Sequence, residues 1–323
     1  MFIPRYWKRI EAIVQTKDFL PAGSDLSDLP DTLDISSWGY SDRSEAEAET
    51  KAHERIGDIV NAFNRSPNDE DFYYPFRVVN EEILKTIGEE TSQQAIITRN
   101  KYHCQILNTA QLMFVDIDVD VSDIKPPSFL SKILLRTSQI IEENIRKEKE
   151  RHEAVISRIE AFVRNQSDGF DDIGFLIYRT FAGYRVIVSS RPLEPRDEDT
   201  HKIFDALGTD PLYQSLCRSQ NSFRARLTPK SWRMKPEVVE KLNLYPLLRR
   251  RVTKNMVEHW SPEDEEKLRI YDDWVEAYEH LHKGHSTCQF IKQIGNWKVA
   301  PSLAELIQLH DEMTGAHKGL DLA

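Results

Sequence analysis

The sequence predicts an α+β protein: a small mixed or antiparallel sheet carrying an acidic strand, flanked by helical N- and C-terminal regions. Three observations lead there. Between Gln94 and Leu227 the chain holds short β-branched and aromatic runs, one of which alternates apolar residues with aspartate. On both sides of this stretch apolar residues recur at helical spacing. The length of 323 residues, with 40% apolar and 10% aromatic content, suffices for one large core or two modest ones. On this reading residues 1–90 are a loop-rich, partly helical region, 91–235 an α/β core with a long helical insertion at 128–165, and 236–323 a helical region.

Taken in order, Ser41 to Ser44 opens an Ala/Glu-rich stretch that reads as a helix to Phe63, and Glu81 to Ile87 reads as a short helix. Tyr73 to Phe76 reads as a packed loop. Strands are expected at Ala95–Thr98, His103–Leu107 and Leu112–Val119, with Asp120 falling in the loop beyond. From Ser128 to about Arg164 the pattern is helical with a charged middle, either two helices or one arm whose middle is solvated. Gly174–Thr180 and Tyr184–Val188, joined through Ala182-Gly183, read as a hairpin, and Ser222–Leu227 as a last strand. Helices at Glu263–Leu281 and Ser302–Met313 complete the chain.

Forty-three Lys and Arg against fifty-three Asp and Glu give a net charge of -10, which excludes a protein that coats nucleic acid or anionic membrane by bulk charge. The opening stretch is charged throughout, and no segment approaches the roughly 20 apolar residues of a spanning helix. Three cysteines without CxxC spacing argue against a disulfide framework. The expectation is a soluble, cytoplasmic protein with no membrane partner.

Two features carry chemistry. Alternation along Phe114–Asp120 places Val115, Ile117 and Val119 on one face and Asp116, Asp118 and Asp120 on the other, successive aspartates about 7 Å apart. Like charges in a row raise one another's pKa, and Mg²⁺ or Mn²⁺ held by Asp116 and Asp118 would relieve the repulsion. The plain alternative is a half-exposed strand with an acidic face. The second feature is a basic segment: Arg218 to Lys254 holds eleven Lys and Arg against two acids, a net +9, so the rest of the chain carries -19. Within it Phe223-Arg224-Ala225-Arg226-Leu227 alternates as a strand, which aligns Arg224 and Arg226 as candidate phosphate ligands beside Lys230, and Trp232 is placed to stack a base. Arg185, on an apolar strand, is expected to pair with a carboxylate or a phosphate.

Weaker signals are set aside. His282, His285 and Cys288 have ligand chemistry at three-residue intervals, with Cys217 or His310 as a fourth, but the paired CxxC of a zinc site is missing and Cys288 opens an apolar run that suits a buried thiol. His103 and Cys104 are strand neighbours on opposite faces, so they form no dyad. Dinucleotide, P-loop and serine-hydrolase motifs do not occur.

A strand of the form hhhDhD (Phe114 to Asp118), a turn and strand Gly-Tyr-Arg-Val-Ile (Gly183 to Ile187) and an arginine-bearing strand together resemble the catalytic core of the archaeo-eukaryotic primases and primase-polymerases, over about residues 94 to 230. The resemblance implies that Asp116 and Asp118 are metal-binding catalytic carboxylates, with Asp210 the nearest candidate for a third. Asp210-Pro211 reads equally as a helix N-cap. Arg185 stands where that family carries a histidine that contacts nucleotide phosphates; this is the main departure from its pattern. A likeness over most of the chain is to a group of bacterial proteins with a Phe-Val-Asp-x-Asp strand and an Arg-Ala-Arg-Leu-Thr-Pro-Lys-x-Trp-Arg string, here Arg224 to Arg233, and it implies no particular activity. The expected function is a metal-dependent, primase-like nucleotidyltransferase acting on nucleoside triphosphates and DNA or RNA, with Arg185, Arg224, Arg226 and Lys230 neutralising phosphate. Two alternatives use the same residues: a metal-dependent phosphodiesterase, and a non-catalytic nucleic-acid-binding module whose aspartates merely pair with Arg185.

Overall fold

The β-branched runs form two four-stranded antiparallel sheets in the computed structural model, which describes residues 3–15, 17, 31–63, 79, 81–88, 94–100, 102–119, 137–165, 172–242 and 262–323. In chain order the elements are β1 (Tyr6–Gln15), β2 (Thr32–Ser41), α1 (Glu45–Phe63), β3 (Glu82–Ile87), β4 (Ala95–Arg99), β5 (Gln105–Thr109), β6 (Phe114–Asp118), α2 (Thr137–Arg164), β7 (Gly174–Thr180), β8 (Gly183–Val188), α3 (Glu198–Leu207), α4 (Pro211–Gln220), β9 (Phe223–Arg226), α5 (Pro236–Leu242), α6 (Pro262–Leu281), β10 (Cys288–Gly295) and α7 (Pro301–Thr314). Among the described residues the molecule is α+β, with antiparallel sheets and seven α-helices.

One sheet runs β3-β4-β5-β9 and the other β10-β7-β8-β6. A single apolar cluster joins them: Ile97, Leu107, Ala225 and Leu227 of the first sheet pack with Phe114, Val115, Ile117, Phe175, Val186 and Val188 of the second. Tyr213 of α4 bridges the sheets, its hydroxyl 3.3 Å from the Phe114 carbonyl and 3.0 Å from the Arg224 carbonyl. The acidic strand β6 and the basic strand β9 therefore meet at this junction.

The register of β6 on β8 decides what surrounds each aspartate. Asp116 lies opposite Arg185, whereas Asp118 lies opposite Gly183, a residue with no side chain. Glycine is required there by close approach, since a Cβ would come within 2.0 Å of the Ile117 carbonyl oxygen.

Several expectations are corrected. Glu81 to Ile87 was expected to be helical, yet Glu82–Ile87 is an edge strand paired with β4; its run is too short for periodicity to separate the two, and β-branched Ile83, Thr86 and Ile87 suit a sheet. The N-terminal region carries β1 and β2, paired from Tyr6↔Ser41 to Gln15↔Thr32, against the loop-rich expectation. On β2, Gly39 lets α1 approach through Ala48 and Ala52, both fully buried. Cys288 begins β10, which adds an edge strand beside β7 within a region expected to be helical. The charged helix is one continuous element with a solvated middle, laced by pairs such as Lys147–Glu143 at 2.8 Å. Asp120, Tyr73 to Phe76 and the basic residues from Arg249 to Lys254 lie outside the described residues. Among those described, no helix is long and apolar enough to cross a membrane.

Replacing Gly183 with alanine is expected to lower stability by about 2 kcal/mol in urea unfolding, because the new methyl overlaps the β6 backbone.

Candidate functional site

Arg185 is the most deeply buried charge of the junction, 1% exposed. Its Nε donates to Asp116 Oδ1 at 2.8 Å and its Nη2 to Asp116 Oδ2 at 3.2 Å, a two-pronged ion pair. Nη1 donates to the Arg226 carbonyl at 2.9 Å and lies 3.3 Å from His310 Nε2, while the guanidinium sits 5.9 Å from the Phe114 ring centre. His310 is itself buried, with Nδ1 2.9 Å from Asp311 Oδ1. Burial opposes charge on Arg185, and the Asp116 carboxylate more than offsets it, so the guanidinium pKa lies above its ordinary value. Arg185 was expected to pair with a carboxylate or a phosphate. The structure commits it to Asp116 and the β9 backbone, so its work is to hold one strand's carboxylate against the next sheet.

Asp118 has no such partner among the described residues. Burial, then Asp116 and Asp210, raise its pKa above the ordinary aspartate value, while Lys230 and Arg233 pull it the other way. Asp210 is brought near, as expected, but it caps α4: its Oδ1 accepts from the Tyr213 backbone N–H at 2.8 Å, which realises the N-cap reading of Asp210-Pro211. The other oxygen is not used in that cap.

Of the expected phosphate ligands, Arg224 is taken by Glu81, with Nη2 2.6 Å from both carboxylate oxygens. Arg226 and Lys230 are not. Among the described residues neither side chain has an ion pair, and Arg226 Nε is buried without a hydrogen-bond partner. Burial and neighbouring guanidiniums lower both pKa values, Arg185 and Arg233 acting on Arg226, and Arg226 and Arg233 on Lys230. Arg233 completes this cationic group and was not singled out from the sequence, where it is one basic residue among eleven. His310, Asp311 and Tyr213 were missed as supports, because only tertiary structure brings α4 and α7 to the junction.

His282, His285 and Cys288 are not gathered. His282 Nε2 lies 3.2 Å from Glu279 Oε2, His285 Nε2 accepts from the Lys235 backbone N–H, and Cys288 Sγ is 3.9 Å from His310 Nε2. Two clefts among the described residues border α7 rather than the carboxylates, one of 540 Å³ beside Ile307 and His317 and one of 490 Å³ beside Lys85 and Glu305.

Among the described residues no group of three or more His, Cys, Asp and Glu is placed around a single metal position. The donors present nevertheless fit a hard cation. They are oxygen only, two lie on one strand, Asp116 keeps 40% of its side chain exposed, and Asp118 has its pKa raised by burial and then by neighbouring carboxylates. Mg²⁺ commonly takes one or two protein carboxylates and fills its octahedron with water and substrate oxygens. No protein-family model matches the chain, and comparison with curated proteins and with solved structures gives no match.

The two aspartates should respond oppositely to replacement. Asp116→Ala strands a buried guanidinium and is expected to cost roughly 3 kcal/mol in urea unfolding. Asp118 holds its proton more tightly when folded, so its ionisation erodes stability as pH rises above 3.8, and Asp118→Asn is expected to raise the melting temperature at pH 7 with the gain vanishing below that value.

Proposed function

We propose that the chain is a metal-dependent, primase-like nucleotidyltransferase of the cytoplasm, acting on nucleoside triphosphates and a DNA or RNA strand. One observation carries the reading: two carboxylates on one face of β6 confront three cations, Arg226, Lys230 and Arg233, that have no ion-pair partner among the described residues. Asp118 lacks the ion pair that Asp116 makes with Arg185, the cations crowd one another in partly buried positions, and a triphosphate with its divalent cation has the charges that would relieve both repulsions.

In the reaction the 3′-hydroxyl of a growing strand attacks the α-phosphorus, a new P–O bond forms, and pyrophosphate leaves. Mg²⁺ or Mn²⁺ at Asp116 and Asp118 would supply activation of that hydroxyl and charge neutralisation at the leaving oxygen. Arg226, Lys230 and Arg233 would orient the triphosphate and offset the charge gathering on pyrophosphate. Arg185 holds Asp116 in place through two hydrogen bonds, and thus acts one step behind the phosphate contact it makes in the sequence-based expectation. The unpaired, buried cysteines accord with a reducing compartment.

A second reading is favoured by one specific observation: both Asp116 oxygens already accept from Arg185. That suits a nucleic-acid-binding module with no reaction to run.

Template extension with labelled strands, Mg²⁺ or Mn²⁺ and all nucleotides separates the readings. Product is expected with the wild type, and Asp118→Ala should reduce it roughly 10²-fold or more while Lys230→Ala raises the KM for triphosphate. Cleavage without added triphosphate would turn the reading to phosphodiesterase. Intact binding without either reaction would leave the binding module.

A further inference from the structure

Beside the carboxylates, rings and cations alternate along the surface. Tyr102 meets Trp232 edge-on with centroids 5.3 Å apart, Lys230 Nζ lies 5.5 Å from the Trp232 ring centre, and the Arg233 guanidinium lies 4.7 Å from that of Phe181. Lys230 and Arg233 act electrostatically on each other and on Asp118, which places the strip at the edge of the site. Its three rings come from separate segments: Tyr102 from the β4–β5 turn, Phe181 from the β7–β8 turn, and Trp232 from the loop after β9. The Phe181 turn is tied to the acidic strand, since the Val119 N–H donates to the Ala182 carbonyl at 2.9 Å.

The three rings are open to solvent along one side. Tyr102, Phe181 and Trp232 are 43%, 48% and 48% exposed, while most large apolar side chains of the two sheets are buried. Neither Lys230 nor Arg233 has a salt bridge among the described residues; each rests against a ring of the strip instead. A row of half-exposed rings interleaved with cations that make no salt bridge among the described residues fits a ligand that repeats a flat apolar unit and an anion. Nucleic acid has that repeat, and only a single strand offers its base faces, because a duplex hides them in its own stack.

We propose that this strip binds a single-stranded polynucleotide, with bases stacked on Trp232 and Phe181 and phosphates held by Lys230 and Arg233. The inference deepens the transferase reading by assigning the strand its path, and it rests on that reading only for the direction in which the strand enters the carboxylate site. The net charge of -10 works against binding by bulk attraction, so affinity must arise locally on these residues.

The test is fluorescence anisotropy of labelled oligothymidylate with the full-length protein in a chelating buffer, against an abasic chain of equal length and a duplex. Oligothymidylate should bind, with the abasic chain and the duplex weaker by about tenfold or more, and Trp232→Ala and Phe181→Ala should each lose about tenfold. Trp232→Phe, which keeps a ring, should retain most of the affinity, and Lys230→Gln should weaken binding and flatten its salt dependence. Both rings are exposed, so unchanged circular dichroism and melting temperature will establish that the alanine variants fold. Equal binding of the abasic chain, or wild-type affinity in both alanine variants, would overturn the proposal. Because no metal is present and Asp116 and Asp118 are untouched, loss of the stacking role of Trp232 and Phe181 leaves the transferase reading standing. Binding as described without metal-dependent extension removes the catalytic reading alone.

Discussion

The ion pair between Arg185 and Asp116 is the constraint on which the junction of the two sheets depends. A guanidinium that is 1% exposed is tolerable only when its donors are satisfied, and Arg185 spends them on both Asp116 oxygens and on the Arg226 backbone. One side chain thus links β8 to β6 across the sheet and to β9 of the other sheet. His310, Phe114 and Tyr213 close around the same point from α7, β6 and α4. Removing Asp116 alone would leave a charge in the core and unfasten the acidic strand from the basic one.

The same register divides labour between two residues that look equivalent in the sequence. Asp116 faces an arginine and becomes structural, whereas Asp118 faces Gly183 and is left open beside its like-charged neighbours. Lys230 and Arg233 stand near enough to temper Asp118 without forming an ion pair with it among the described residues. Natural sequences minimise such conflicts elsewhere, so their concentration at one end of β6 is the physical mark of a site.

Much of this was legible in the sequence. The alternation of Phe114–Asp118 and of Phe223–Arg226 fixes which residues share a face, and the hairpin at Ala182-Gly183 and the helix ending at Leu281 follow from local pattern. Asp210 as a helix cap was also readable, from the Pro that follows it. Cross-strand register was not: whether Arg185 meets Asp116 or a ligand depends on how β6 slides along β8, and no single segment contains that information. Glu81 as the partner of Arg224 lies 143 residues away in sequence, and β10 reaches its sheet only through tertiary packing. The edge strand at Glu82–Ile87 escaped because six residues with a bulge between Ile83 and Lys85 carry no clean period.

The most direct measurement of the central claim is carbon NMR titration of the Asp118 carboxyl, with and without Mg²⁺. The account predicts a midpoint above 3.8 in the free protein and a marked fall when Mg²⁺ is added, because the cation replaces the repulsion of Asp116 and Asp210 with attraction. A midpoint at or below the ordinary value, unmoved by Mg²⁺, would contradict it.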